Sequence, residues 1–250
     1  MRSENLAIVI LAAGIGKRMR SKLAKVLHPL CGRPMLCYTL DLAKAISPRA
    51  IVVVVGRQKS RIEKIYKSEP VGFVYQGEQL GTGHATLAAE PHLKDFEGDL
   101  LVLSADVPLL RLPTLEGLLT CHRSEGAGVT ILTAILENPA GYGRIVRNKG
   151  EVLAIVEEKD ASAQVQSIRE INTGIYVFQS FPLWTALAQI QPANVQGEYY
   201  LTDAIEIIRK GGGSVKGLAV RDPEEALGIN TRESLAEARR ILQYRIHRQH

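Results

Sequence analysis

The sequence is short of cysteine, of aromatic rings and of any apolar run long enough to cross a bilayer, and each shortage removes a class of protein. Its three cysteines, Cys31, Cys37 and Cys121, are odd in number and form no CxxC pair. That argues against a disulfide framework or a cysteine-based metal site, and for reduced thiols in a cytoplasmic protein. Aromatic residues make up 5% of the chain, too few for rows of stacking platforms on single-stranded nucleic acid. The most apolar segment, Asn5-Leu-Ala-Ile-Val-Ile-Leu-Ala-Ala13, is too short for a membrane span and does not read as a secretory signal. No internal repeat, low-complexity stretch or long linker interrupts the chain. No Ser/His/Asp or Cys/His signature of covalent catalysis is present. His28 and His84 fall near the motifs described below, but their spacing is not that of metal ligands, so structural or surface roles are expected.

What is present is an ordinary globular balance over 250 residues, 46% hydrophobic and 23% charged, with a formal net charge of +5. The positive charge is not one long run. It gathers at Lys17, Arg18, Arg20, Lys22 and Lys25, and again at Arg239, Arg240, Arg245 and Arg248. The first cluster suits a small anionic substrate, and the second suits the solvated face of a terminal helix. Neither nucleic acid nor a membrane is an expected partner.

Hydrophobic periodicity predicts the architecture. Residues 6–12, 50–55, 71–75 and 100–104 read as strands buried on both faces, and 35–46, 59–67 and 83–89 read as helices between them. This order implies an α/β fold with a doubly wound, mainly parallel sheet, whose ligands bind beyond the carboxyl ends of the strands. The loops after Ala12, Tyr75 and Ser104 are then expected to line one crevice. The second half changes character. Strand-like runs at 129–136, 144–147, 152–157 and 171–178, with turns at Asn138-Pro-Ala-Gly141 and Asn148-Lys-Gly150, predict an added antiparallel β region. Helices at 182–189 and 200–210 and a strand at 215–220 follow. A terminal helix over 231–247, with Thr231 as its N-cap, is expected to protrude from one compact unit.

The segment Leu11-Ala-Ala-Gly-Ile-Gly-Lys-Arg-Met19 directly follows the first strand. Its two glycines permit tight turning, and backbone N–H groups in such a loop can cradle phosphate oxygens, with Arg18 and Lys25 as countercharge. It is neither a dinucleotide fingerprint, since Met19 replaces the third glycine, nor a Walker A loop, since Arg18 follows Gly16-Lys17. The segment with Lys25 resembles the signature of the sugar-nucleotide pyrophosphorylases, or nucleotidyltransferases. The resemblance continues through Gln76-Gly-Glu-Gln-Leu-Gly-Thr82, Gly141-Tyr-Gly-Arg-Ile145, Ile155-Val-Glu-Glu-Lys159 and Glu170-Ile-Asn-Thr-Gly174. It extends to Gln196-Gly-Glu-Tyr-Tyr-Leu-Thr-Asp203 and Gly228-Ile-Asn-Thr231. Within that superfamily the chain resembles the uridylyltransferase domain of the bifunctional N-acetylglucosamine-1-phosphate uridylyltransferase/glucosamine-1-phosphate acetyltransferases.

The resemblance implies a Rossmann-like nucleotidyltransferase fold over residues 1–230 and a C-terminal helix over 231–250. It implies Mg²⁺-dependent transfer of UMP from UTP to N-acetylglucosamine 1-phosphate, a step in cell-wall precursor synthesis. Leu11, Ala12, Ala13, Gly14, Gln76, Gly81 and Thr82 would hold the uridine portion, Ser104 and Ala105 would border the ribose or sugar, and Arg18, Lys25 and Asp106 would serve catalysis. Asp106 and Asn230 would share the metal. Gly143, Glu157, Lys159, Asn172, Tyr199 and Thr202 would form the sugar pocket.

Each residue type has its own chemical reason. Gln76 carries a donor and an acceptor, which suits a pyrimidine edge, although capping a strand end is an alternative. Asp106 at a strand's carboxyl end suits Mg²⁺, which takes one or two protein oxygens plus phosphate oxygens, or else it shapes a turn. Three departures from the family pattern stand out. Ala24 replaces the proline before the lysine, Ser104-Ala-Asp106 replaces a glycine-containing triplet, and no hexapeptide repeats of a β-helix occur in these residues. Acetyl transfer and a β-helix trimer are therefore not expected of this chain. Alternatives are another sugar 1-phosphate or nucleotide within the same chemistry, or a nucleotide-sugar-binding module without turnover.

Overall fold

Leu6, Ala7, Ile8, Val9 and Ile10 form an unbroken apolar run without solvent exposure, which places their strand at the centre of a sheet covered on both faces. A computed structural model describes residues 3–248. Strand β1 (Ser3–Ala12) leads through the hairpin β2 (Pro29–Leu30) and β3 (Arg33–Pro34) into α1 (Met35–Ala45). Then come β4 (Pro48–Val55), α2 (Lys59–Ile65), β5 (Gly72–Tyr75), α3 (Thr82–Leu87), α4 (Glu90–Leu93), β6 (Asp99–Ser104) and α5 (Leu112–Ser124). The second half contains β7 (Val129–Ile135), β8 (Arg144–Asn148), β9 (Glu151–Val156), α6 (Ala163–Gln166) and β10 (Glu170–Gln179). It ends with α7 (Ser180–Leu187), α8 (Asp203–Lys210), β11 (Val215–Ala219) and α9 (Arg232–His247).

The sheet order is β11-β7-β10-β6-β1-β4-β5. β1 pairs in parallel with both β4 and β6, so that Ile8 faces Ile51 on one side and Leu101 on the other. Strand order reverses at β1, and the crevice beyond the ends of β1 and β6 is the switch point where such sheets take ligands. Alternate residues of β1 feed two cores. Ala7 and Val9 pack with Ala85, Leu183 and Ile205 from α3, α7 and α8, and with Ala89 just before α4. Leu6, Ile8 and Ile10 pack with Leu36, Leu40, Leu115 and Leu118 from α1 and α5.

The added region takes its predicted antiparallel form around β10, which runs against both β6 and β7. The hairpin β8–β9 joins β10 through Arg144 opposite Ile171. A register shift lies between Asn172 and Ile175, where Gly174 has φ +77°. Across this bulge β7 stays paired on one side of β10, while the partner on the other side changes from β8 at its start to β6 at its end.

Three expectations change. β5 is an edge strand with Tyr75 exposed, and is not buried on both faces. α5 is absent from the expected elements, although Leu115, Leu118, Leu119 and His122 recur at helical spacing and are buried. The terminal helix does not protrude: Ala238 and Ile241 bury against Leu30, Met35, Leu109 and Ile229. Its N-cap is Thr231, in a capping box with Ser234. Positions 249–250 of the expected terminal segment lie outside the described residues. The three cysteines are free, and among the described residues no helix is long and apolar enough to cross a membrane.

Candidate active site

The loops after β1, β5 and β6 do line one cleft, of about 760 Å³. In the first, Gly16 takes the left-handed conformation at φ +65° and opens a 3-10 turn, Lys17–Met19, anchored by the buried Met19. A Cβ on Gly16 would lie 2.8 Å from Cβ of Lys25, so the glycine lets the loop close over the lysine stem. Arg232, in the first turn of α9, donates to the carbonyls of Met19 and Arg20, each at 3.2 Å, and fixes the loop's far end. Arg18 is exposed on the cleft wall and forms no ion pair among the described residues.

Asp106, just beyond β6, is the centre of a charged cluster. One carboxylate oxygen accepts from the Ser104 hydroxyl at 2.7 Å, and the other pairs with the Lys25 ammonium. Lys25 also donates to Oδ1 of Asn230 at 3.1 Å, across 205 positions of sequence. Burial disfavours the charged Asp106 carboxylate, but the Lys25 charge and the hydrogen bonds from Lys25 and Ser104 outweigh it, leaving its pKa below the ordinary carboxylate range. The Asn230 loop is held from two sides. Ile229 N–H donates to the Asp106 carbonyl at 2.8 Å, and Asn230 N–H donates to the Ser234 hydroxyl at 3.0 Å.

Gln76, at the end of β5, is 3% exposed. Its side-chain nitrogen donates to the Gly81 carbonyl at 3.1 Å and lies 3.1 Å from Nδ1 of His84. Gly81 sits against the Tyr199 backbone, with φ +117° and room for no Cβ, because Tyr199 O would lie 2.5 Å away. Tyr199 N–H donates to Leu80 O, Gly83 N–H donates to Tyr199 O, and Leu201 N–H donates to the Thr82 hydroxyl.

On the same cleft, the half-buried Glu157 carboxylate accepts from the Thr202 hydroxyl at 3.3 Å. Desolvation raises its pKa, the Thr202 hydrogen bond opposes this, and the charges of Asp160, Asp203 and Glu198 add to the rise. Gly143 lies beneath the same carboxylate, with its Cβ position 3.3 Å from Oε2. Lys159 pairs with the side-chain oxygen of Gln196 on the rim.

The structure thus brings Leu11, Ala12, Ala13, Gly14, Arg18, Lys25, Gln76 and Gly81 to one cleft with Thr82, Ser104, Asp106, Glu157, Lys159 and Asn230. Five expected residues are not among those lining it. Ala105 is fully buried, its N–H donating to Leu11 O at 3.1 Å, and so ties the end of β6 to β1. Gly143 and Thr202 support Glu157 from behind. Asn172 donates to the Tyr176 hydroxyl at 2.7 Å and accepts from Gly174 N–H at 3.1 Å, so both ends of its amide are engaged. Tyr199 acts through its backbone while its ring packs on the core. Lys25, expected as a countercharge, is held by Asp106 and Asn230. Gln79 was missed: its amide donates to Ala13 O, and a Cβ on Gly56 would strike both at 2.7 Å. Glu158, Gln196 and Glu198 were also missed as wall residues, and no spacing signal distinguishes them from solvated polar residues.

A sequence model of the MobA-like NTP transferase domain matches residues 8–170. The chain belongs to that family. This nucleotidyltransferase is 50% identical over 239 residues to the bifunctional protein GlmU of Brevibacillus brevis, an alignment covering 95% of the chain and 52% of the relative. It is 47% identical to bifunctional GlmU of Pelobacter propionicus (98% and 54% covered) and 50% identical to that of Pelotomaculum thermopropionicum (97% and 53%). The chain therefore spans about half the length of the curated relatives it matches. A crystal structure of UDP-glucose pyrophosphorylase complexed with UDP-glucose shares its fold, with a TM-score of 0.75 at 18% identity, covering 96% of this chain and 98% of that one.

Proposed function

We propose that this nucleotidyltransferase moves UMP from UTP to N-acetylglucosamine 1-phosphate, releasing pyrophosphate and forming UDP-N-acetylglucosamine, with Mg²⁺ as cofactor. The observation that carries the reading is one cleft lined together by Gln76, Lys25, Asp106, Asn230 and Glu157. The GlmU relatives and the pyrophosphorylase fold, whose solved representative holds a nucleotide sugar, support the same assignment.

With the Gln76 nitrogen engaged by Gly81 and His84, its carbonyl oxygen is left for a donor. The N3–H of uracil supplies one, whereas cytosine presents an acceptor there. The glycine-rich loop and Arg18 meet the triphosphate, with backbone N–H groups and a free guanidinium. Glu157, with one weak protein donor, retains capacity for sugar hydroxyls.

Asp106 and Asn230 fit a cation, since their oxygens already converge on one, the Lys25 ammonium. Among the described residues no group of three His, Cys, Asp or Glu side chains could hold a metal alone. That suits Mg²⁺, which completes its shell with substrate phosphates and water. Bound there, it would neutralise charge on the triphosphate.

No protein nucleophile is required. The acceptor phosphate has a second pKa near ~6 and is anionic at neutral pH. Its oxygen attacks the α-phosphorus, the bond to the bridging oxygen breaks, and that oxygen leaves on pyrophosphate with the electron pair. The chain's task is to align two polyanions and offset their repulsion. Pyrophosphate release across a panel of triphosphates and sugar 1-phosphates tests the assignment. UTP with N-acetylglucosamine 1-phosphate should give the highest kcat/KM, and a clear preference for thymidine triphosphate with glucose 1-phosphate overturns it.

A further inference from the structure

Both acceptors assigned to the metal are already occupied by a residue of the chain itself. The Lys25 ammonium meets Asp106 and lies 3.1 Å from Oδ1 of Asn230, while Ser104 takes the remaining Asp106 oxygen. We infer that Lys25 is the resident cation of this position in the nucleotide-free protein, and that it must release Asp106 and Asn230 before a divalent ion can bind there. The inference rests on the reading of Asp106 and Asn230 as ligands and adds a rule for how they are loaded.

The geometry gives the rule its direction. Mg²⁺ needs its oxygens at about 2.0–2.1 Å, which leaves no space for an ammonium against the same two atoms, and the two cations repel. The lysine cannot withdraw along its own stem, because Gly16 closes over it so tightly that a Cβ there would lie 2.8 Å from that of Lys25. The side that remains is the cleft, which Lys25 borders together with Lys17 and Arg18. A displaced ammonium would give up its contact with Asp106 and enter a cleft whose wall carries Lys17 and Arg18 as well as Glu157, Glu158 and Glu198. That move is costly in the empty protein and favourable once a triphosphate fills the cleft. Metal and triphosphate should therefore bind with positive coupling, each raising the other's affinity by the same factor.

Manganese chloride titrated into the chain by calorimetry, with and without UTP, tests this. In nucleotide-free wild type the ion should bind weakly, and UTP should strengthen it beyond the uptake seen when the ion is titrated into UTP alone. Lys25→Met, which keeps an unbranched stem without the charge, should bind Mn²⁺ without UTP at least about tenfold more tightly, the equivalent of removing one charge-assisted hydrogen bond that competes for the site. Asp106→Asn in the Lys25→Met background should abolish the gain. Unchanged or weaker Mn²⁺ binding by Lys25→Met overturns the inference while leaving the metal reading in place. Absence of Mn²⁺ binding in wild type even with UTP overturns both.

Should Lys25→Met fail to fold, acetic anhydride labelling of wild-type Lys25, read by peptide mass spectrometry, decides the matter. Labelling should be slow without metal and faster at saturating Mn²⁺ alone, as the ammonium moves into the open cleft. Equal rates, with Mn²⁺ bound and dependent on Asp106, overturn the exchange.

Discussion

Two glycines of the cleft should respond to the same substitution in opposite ways. At Gly81 a methyl group would meet the Tyr199 backbone, 2.5 Å from its oxygen and 2.8 Å from its nitrogen, at a φ of +117° that L residues rarely adopt. Backbone cannot rotate aside as a side chain can. Strain of about 1–2 kcal/mol and overpacking of similar size together give a cost of about 3 kcal/mol for Gly81→Ala. For a domain of this length that lowers Tm by about 6–12 °C. The displaced loop also carries Gly83 and Thr82, whose bonds to Tyr199 and Leu201 shape the cleft wall beside Gln76, so on the proposed uridine role KM for UTP should rise. At Gly14 an added Cβ meets nothing within 4 Å. Gly14→Ala should leave Tm within about 2 °C of the parent, or raise it slightly through the unfolded chain. It should still raise KM for UTP, because the methyl group would project into the cleft proposed for the nucleotide. Thermal melting and steady-state kinetics on both proteins give the comparison. A Gly81→Ala protein that melts within about 2 °C of wild type with an unchanged KM refutes the steric argument. A Gly14→Ala protein with unaltered KM removes Gly14 from the nucleotide path.

Asp106→Asn should lower turnover by ~10²–10³, a few kcal/mol of transition-state stabilisation. It should also lower Tm, because the largely buried Lys25 loses its counter-ion. The double variant Asp106→Asn/Lys25→Met should recover Tm but not turnover; equal melting of the single variant and wild type contradicts the ion pair. Glu157 gives a pH test. Its folded pKa is raised above the ordinary 4.5, so its stabilising protonated form is fully present below that value and is lost as pH rises through the folded pKa. Glu157→Gln should thus melt higher than wild type at pH 8, with the gap closing as pH falls toward 4.5, while KM for the sugar phosphate rises about tenfold. A gap that is the same at both ends of the range removes the buried-carboxylate account.

Several features follow from the sequence alone. The unbroken apolar runs of β1, β4 and β6 demand a sheet covered on both faces, and their alternation with helical spacing requires parallel crossovers. That places the residues after Ala12, Tyr75 and Ser104 at one end of the sheet, where the cleft is found. Thr231 as N-cap was legible because capping uses only residues three apart. Periodicity does not reveal edge position, so β5 read as buried. Nor could it show that α9 docks on Leu30 and Leu109, since an apolar stripe looks alike whether or not it has a partner.

The tertiary structure alone decided which polar residues face the ligand space. Asn172 on β10 and Glu157 just past β9 look equivalent in sequence, yet a bulge at Gly174 turns the first toward Tyr176, and the second lines the cleft. Gln79 became visible only through its contact with Ala13. Above all, Lys25, Asp106 and Asn230 are separated by 81 and 205 positions from the lysine. Local chemistry names each as a charged or polar loop residue. Their meeting depends on β1 and β6 lying side by side and on the last helix returning to cap the same strand ends, and no local signal encodes that arrangement.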